Sequence, residues 1–353
     1  MMDTTLQEFA DRIGHATATG TPLRIRGGGS KDWYGQDVQG TVLDTTAWRG
    51  ITDYEPTELV ISARCGTPLA EIEAHLAQHG QMLAFEPPHF GPGATIGGTV
   101  AAGLSGPRRQ AAGAVRDFVL GAVLVDGKGE VLHFGGKVMK NVAGYDVSRL
   151  LAGSLGVFGL IAEVSLKVLP RPVAECTVQL QVNQGEALRL LNEWGGQPLP
   201  VSASSWHDGV LTVRLSGARS AVDAARRRIG GDLLDDADAW WRALREHETA
   251  FFKDAGSLWR LSLPTIAPPL ALPGTQWIEW GGAQRWLRLD VAAATIRAAA
   301  SAAGGHATLF RGGDRQAGVF QPLAPAVQAI HRQLKNVFDP AGVFNRGRMY
   351  KEF

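Results

Sequence analysis

The sequence predicts an α+β fold in two parts, with a tail that returns to the first part. Three observations lead there. At 353 residues the chain is longer than one small core organises. Up to Pro172, short strands alternate with helices. Beyond it tryptophan becomes frequent, with eight of the ten lying between Trp194 and Trp286. They sit among strands that read as an antiparallel sheet with helices on one face. The expected divisions are 1–172, 173–323 as an α+β antiparallel-sheet cap, and 324–353 as a C-terminal helix and tail.

The elements follow in chain order. "PLRIR" (22–26) is a strand broken by "GGGSK", and "ELVISAR" (58–64) is a second. A helix is expected over 67–80. Thr67 can cap it, Pro68 suits its first turn, Leu69, Ile72 and Leu76 share a face, and Gly80 ends it. "GAVLVDGKGEVLHF" (121–134) is a hairpin turning at Asp126-Gly127. The strand at 159–170 stops at Pro170 and Pro172. In the second part, strands are expected at about 173–182, 200–206, 210–216, 257–263, 276–280 and 285–290. Helices are expected near 184–195, 219–230, 236–253 and 292–303. A last helix, 324–339, carries Val327, Ile330, Leu334 and Phe338 on one side.

Composition excludes several classes. The net charge is +1 and no basic stripe exists, which argues against a duplex nucleic-acid binder. The run Arg226–Arg228 reads as a solvated helix face. Cys65 and Cys176 form no Cys-x-x-Cys pair, so a cysteine-held zinc or iron–sulfur site is excluded. Buried cytosolic thiols are the natural reading. The segment "MMDTTLQEFADRIG" lacks a basic then apolar order, so a cytoplasmic location is expected, with any inner-membrane association made through partners.

The stretch from Pro87 to Pro107 has no formal charge, and ten of its twenty-one residues are Gly or Pro. That content forbids a spanning helix and predicts a series of turns that lets backbone approach a ligand. Three familiar motifs fail here. In "RGGGSKDWYG" Asp32 stands where a dinucleotide fingerprint needs its third glycine. In "FGGKV" Val138 replaces the hydroxyl residue of a P-loop. In "AGSLG" Ala152 replaces the first glycine of a nucleophile elbow. What remains is two glycine-rich loops at strand ends, Arg26–Lys31 and the run centred on Ala94–Gly98. Successive backbone N–H groups in such turns bind anions without net charge, so a dinucleotide pyrophosphate is the expected ligand.

These residues carry a resemblance. "LRIRGGGSKDWYG", "EPPHFGPGATIGGTVAAGLSGPRRQAAGAVRDFVLGAVLVDGKGEV" and "KNVAGYDVSRLLAGSLGVFGLIAEVSLKV" together resemble the FAD-binding domain of vanillyl-alcohol oxidase type (PCMH-type) flavoproteins. "VFDPAGVFNRGRMY" is similar to the ending of the 2-hydroxy acid dehydrogenase branch. The shorter middle, with "EWGGAQRWL" and "GGHATLFR", resembles the FAD-binding E subunits of bacterial glycolate oxidases. The resemblance implies that Arg26, Gly27, Gly28, Gly29 and Ser30 wrap the FAD pyrophosphate. It implies that Pro87, Gly93, Thr95, Ile96, Gly97 and Gly98 line pyrophosphate and isoalloxazine, with Gly103 and Arg109 nearby. Asp117, Gly159 and Ile161 would hold ribose and adenine. Asn345 and Arg348 would return to the ring or the substrate entrance. Ser30 stands where some relatives tether FAD through histidine, so the FAD is expected to be noncovalent. A branched side chain at Gly97 is expected to displace it.

The implied chemistry is oxidation of glycolate, or a similar 2-hydroxy acid, to glyoxylate. It needs a base, a cation for the carboxylate and a hydride acceptor. Arg311, Arg285, Arg348 and Arg109 are candidate anchors, because a guanidinium binds a carboxylate through two parallel bonds. His306, His89 and His207 are candidate bases, and His306, Arg311 and Arg348 are taken forward as catalytic candidates. The metal-binding histidine motif of catalytic relatives is absent, so no metal is expected. Reduced flavin must pass electrons on. The resemblance implies a second flavoprotein subunit and an iron–sulfur subunit as partners, and exposed cap tryptophans are a candidate docking surface. A self-sufficient 2-hydroxy acid dehydrogenase and a non-redox scaffolding subunit remain open alternatives.

Overall fold

A computed structural model describes residues 3–136 and 146–353. Lys137-Val138 and the "KNVAGY" part of the third resembling segment lie outside the described residues. The first part opens with α1 (Thr4–Thr19), β1 (Leu23–Arg26), β2 (Thr41–Asp44), β3 (Ile51–Glu55), β4 (Val60–Arg64), α2 (Leu69–Gln78) and β5 (Gln81–Met82). It continues through α3 (Ile96–Ala102), α4 (Arg109–Ala112), α5 (Val115–Phe118), β6 (Val119–Val125), β7 (Val131–Gly135), α6 (Val147–Leu150), β8 (Leu160–Lys167) and β9 (Leu169–Pro170). β1 and β2 pair in parallel. A five-stranded antiparallel sheet runs in the order β3-β4-β8-β6-β7.

The cap comprises β10 (Ala174–Gln181), α7 (Gln184–Gly195), β11 (Val201–His207), β12 (Val210–Gly217), α8 (Arg219–Ile229), β13 (Asp232–Leu233) and α9 (Ala237–Arg245). Then come α10 (Ala250–Lys253), β14 (Leu258–Ser262), β15 (Thr275–Glu279), β16 (Gln284–Arg288), α11 (Ala293–Ala302) and β17 (His306–Arg311), followed by α12 (Pro325–Phe338). Its eight strands form one antiparallel sheet, β13-β10-β12-β11-β15-β16-β14-β17.

Several expectations need correction. The neutral run is not all turn, because α3 lies inside it. Thr95 caps α3 by accepting from the Gly98 N–H at 3.3 Å, and Gly103 closes it in the left-handed conformation. The helix is built from small residues because it is packed close on β4: a Cβ on Gly97 would strike Cys65. Thr67 does not cap α2. Its hydroxyl donates to the Arg64 carbonyl at 2.7 Å instead, and Pro68 holds the cap position. The helix expected over 236–253 is two, broken where His247 takes a positive φ of 56°.

Cap helices lie on both faces of the sheet. Leu211, Val213 and Leu215 of β12 share a core with α7 and α8. Arg214, which points the other way, stacks on Trp241 of α9 at 4.9 Å. α9 and α10 therefore fill the space between the sheet and the first part. Tyr34, Leu104 and Leu155 of the first part join one apolar cluster with Trp241, Trp277, Trp286 and Phe310 of the cap. The eight cap tryptophans are buried or half-buried, so they pack the protein's own core and offer no exposed docking surface. On α12 the predicted stripe is only partly covered. Phe338 is buried, but Val327 and Ile330 are exposed. No described helix is long and apolar enough to cross a membrane.

Candidate functional site

The two glycine loops meet. A Cβ on Gly28 would collide with the Gly93 carbonyl oxygen, and one on Gly93 would stand 2.8 Å from the Gly28 oxygen. Only backbone fits there, so the loop that follows β1 and the loop that leads into α3 share one mouth; the second does not sit at a strand end, contrary to the sequence-based expectation. Below it runs a crevice with two adjoining lobes. Ile25, Gly27, Gly98, Ala101, Leu155 and Asn345 line both. Arg26, Gly28, Gly29, Ser30, Lys31, Thr95 and Arg348 complete the outer lobe. Thr45, Cys65, Gly97, Gly159 and Ile161 complete the inner one.

The loops contribute differently. Among the described residues, no protein acceptor takes the backbone N–H groups of Gly27, Gly28, Gly29, Ser30 or Lys31. Five successive free donors at a crevice form an anion cradle. The second loop has fewer, and among the described residues only its Gly91, Gly93 and Thr95 N–H groups take no protein acceptor. Ile96 N–H donates to the Thr67 carbonyl, Gly97 N–H to the Cys65 carbonyl and Gly98 N–H to Thr95 Oγ1. Both loops therefore present main-chain donors, the first as an unbroken run and the second at separate positions. The second supplies room and a wall, with Gly98 open to the crevice.

The charges around the mouth are fixed. Arg24 and Arg26 both bridge Asp32, at 2.8 and 2.7 Å. The Lys31 ammonium donates to the His89 carbonyl at 3.2 Å. Burial brings its pKa down to about 8, against the pull of Glu246. Asn345, on the C-terminal tail, accepts from the Ile25 N–H at 2.8 Å and donates to the Leu155 carbonyl at 2.6 Å. It thereby joins the two walls. Arg348 donates to the Lys31 and Tyr34 carbonyls at 3.1 and 2.8 Å. It straps the loop after the cradle, with burial depressing its pKa.

Other expected residues lie elsewhere. Pro87 and Ile96 are buried in the first part beside the loops. Gly103 ends α3 against Gly153. Asp117 is exposed and outside both lobes, where it accepts from the Ala114 N–H at 2.8 Å at the start of α5. Arg109 stacks on Trp280 of the cap at 4.3 Å. Arg285 is fully buried and donates to the Gly282, Pro268 and Ala267 carbonyls. It is a structural residue rather than an anchor. His306 is exposed at the start of β17 and lines neither lobe. His89 bonds Glu73 at 2.9 Å, and His207 stacks on Trp277 at 4.3 Å. Arg311 lies over Trp33 at 4.3 Å.

Sequence reasoning missed a second cavity. It lies between the turn Leu104–Pro107 and the cap, and Arg260, His247 and Glu279 line it. The single cue was a carboxylate inside an apolar strand, "QWIEW".

Comparison with known proteins fits this geometry. The family model described as an FAD binding domain matches residues 4–135. The glycolate oxidase subunit GlcE of Escherichia coli is 50% identical over 346 residues, 98% of this chain and 97% of that protein. The chain belongs to the GlcE family of glycolate oxidase subunits. Two more distant relatives of the GlcE family chain match only in part. The glycolate oxidase subunit GlcD of Bacillus subtilis is 39% identical over 24% of this chain and 18% of its own. A D-lactate dehydrogenase of Archaeoglobus fulgidus is 30% identical over 47% of this chain and 37% of its own. The fold is shared with alkyldihydroxyacetonephosphate synthase, at a TM-score of 0.67 and 16% identity, covering 96% of this chain and 75% of that one. Together these establish a PCMH-type α+β flavoprotein fold with a cap.

Proposed function

We propose that this chain is the FAD-binding subunit of a glycolate oxidase complex that converts glycolate to glyoxylate and passes electrons from its flavin to partner subunits. The observation that carries it is the cradle of five unbonded N–H groups, Gly27–Lys31, opening on a crevice in a chain similar to GlcE along its whole length. In this reading the cradle holds the FAD pyrophosphate. Thr95, Gly97, Gly98 and Asn345 shape the crevice, and Gly159 and Ile161 floor its inner lobe. Residues 1–172 and 324–353 form the FAD part, and 173–323 the cap. FAD, when bound, supplies the hydride acceptor. The chain's own residues bind it, orient it and exclude water from it.

Ser30 at the cradle supports noncovalent binding. The two cysteines cannot ligate a cluster, so electrons leave to other subunits. We place a second flavoprotein subunit and an iron–sulfur subunit among those partners, with the complex cytoplasmic or held at the inner membrane by them. The test is the absorbance spectrum of the purified chain with and without glycolate. Yellow protein that stays oxidised until partners are added supports the proposal. Flavin bleached by glycolate without partners supports a self-sufficient dehydrogenase. A colourless, folded chain indifferent to added FAD refutes both and leaves the scaffold.

A further inference from the structure

The second cavity gathers polar groups that lack their ordinary partners. Glu279 is 4% exposed and accepts from Trp286 Nε1 at 2.6 Å and Gln284 Nε2 at 3.2 Å, both neutral donors. Among the described residues no cation pairs with it. Arg260 donates to the Tyr34 hydroxyl at 3.1 Å and lies over Phe310 at 5.5 Å, with no carboxylate partner. His247 is 8% exposed, stacks on Phe252 at 3.9 Å, and its Nδ1 has no hydrogen-bond partner. Buried ionisable groups are ordinarily paired, and unsatisfied ones call for an explanation. Arg245, the other cation on this wall, is taken by Glu246 at 2.8 Å. The remaining walls are mostly apolar, supplied by Phe90, Leu104, Leu244 and Phe310, with Ser105 already accepting from the Val115 N–H at 3.0 Å.

A guanidinium and a carboxyl group left without ionic partners in one small cavity complement a ligand with a carboxylate beside a hydroxyl. We propose that this cavity binds a short 2-hydroxy monocarboxylate, with Arg260 pairing its carboxylate and Glu279 hydrogen-bonding its hydroxyl. The position fits. Ala102 lines the crevice while Leu104 and Ser105 line the cavity, so the two spaces flank the same turn. The proposal deepens the flavin reading and rests on it for its redox meaning. The GlcE-type chain would then hold its own small acid, instead of leaving recognition wholly to a partner.

Isothermal titration of the purified FAD-loaded chain tests it, using glycolate, acetate (no hydroxyl) and ethylene glycol (no carboxylate). Flavin content at 450 nm and circular dichroism are read on every sample. Wild type should give saturable heat with glycolate, weaker binding of acetate and none of ethylene glycol. Arg260→Met should weaken glycolate about tenfold or more at unchanged flavin content. Glu279→Leu keeps the site filled with an apolar group, and should erase the preference for glycolate over acetate. A flavin-loaded wild type without saturable glycolate binding overturns the proposal, as does R260M binding like wild type. Should R260M fail to fold, the E279L comparison decides: a retained preference for glycolate overturns the assignment. A folded chain that takes up no FAD instead overturns the flavin reading, so the two failures are told apart.

Discussion

Arg214, on the cap sheet, donates to the Glu86 carboxylate of the first part at 2.8 Å, and both side chains are largely buried. Arg108 closes on the same carboxylate at 3.2 Å and reaches Glu175 of β10 at 2.8 Å. The two parts are thus joined by a charge network as well as by the apolar cluster. Burial alone would raise the Glu86 pKa, but Arg214 and Arg108 outweigh it and hold the group below its usual range.

Glu86→Ala should destabilise the chain by about 3 kcal/mol, because it takes the short carboxylate contact from buried Arg214 and one of two from buried Arg108, leaving both to share Glu175. Urea unfolding at neutral pH checks this. The depressed pKa gives Glu86 a contribution that is present above the ordinary carboxylate range and lost as pH falls through its folded value. Glu86→Gln should therefore flatten the acid limb of stability. An acid limb as steep as wild type would sink the assignment.

Two neighbouring glycines should respond differently. Gly97 faces Cys65, so Gly97→Val should lower the melting temperature along with flavin content. The cause is a clash with Cys65, the residue after β4, which replaces the expectation that the side chain would occupy the cofactor's own space. Gly98 faces the crevice, and a Cβ there meets only Thr95 Oγ1, at 3.2 Å. Gly98→Val should fold with a melting temperature near wild type yet purify without the 450 nm band. Full flavin content in a folded G98V chain would exclude the crevice as the FAD site.

Lys31 should make FAD binding pH-dependent. Burial lowers its pKa to about 8, with Glu246 opposing, so in the free protein it loses its charge as pH rises through that value. FAD affinity should fall across the same range, since a cation near the cradle favours a diphosphate. Lys31→Met should bind FAD more weakly at pH 7 and show a flat profile between pH 7 and 9. Fluorescence titration with FAD measures both.

Glu279 should make the fold less stable as pH rises. Burial lifts its pKa from 4.5 to about 7, against the hydrogen bonds from Trp286 and Gln284 and with Glu86 adding to the rise. Arg260 from β14 and His247 and Arg245 from the end of α9 share its cavity. The folded chain favours the protonated carboxyl, so its contribution is whole below pH 4.5 and lost as pH climbs through about 7. The gap corresponds to roughly 3 kcal/mol. Glu279→Gln should gain stability relative to wild type between pH 5 and 8, by equilibrium denaturation.

Much of the framework was legible because periodicity and turn chemistry are local signals. β10, β11, β12, α7 and α8 fall within a residue or so of expectation. The free N–H run at Gly27–Lys31 was legible only in part, since a triple glycine after a strand marks a turn without saying what the turn holds. α3 was hidden because its helicity is imposed by packing on β4, which overrides a composition hostile to helix. The second cavity was hidden because Arg260, His247 and Glu279 come from three separate elements. Nothing in their spacing along the chain announces that they meet. The apparent anchor Arg285 misled for the opposite reason: an arginine's sequence context does not reveal that carbonyl oxygens already surround it.

Asn345 and Ile25 are hydrogen-bonded across 320 positions of sequence. A ribosome finishes the cradle long before it delivers the residue that seals its wall. Until then the nascent chain holds an open trough, and stable cofactor capture waits on that late contact. Folding that waits on so distant a partner is slow and leaves tacky intermediates. Ample FAD in the growth medium should therefore raise yield less than slower synthesis or added chaperone.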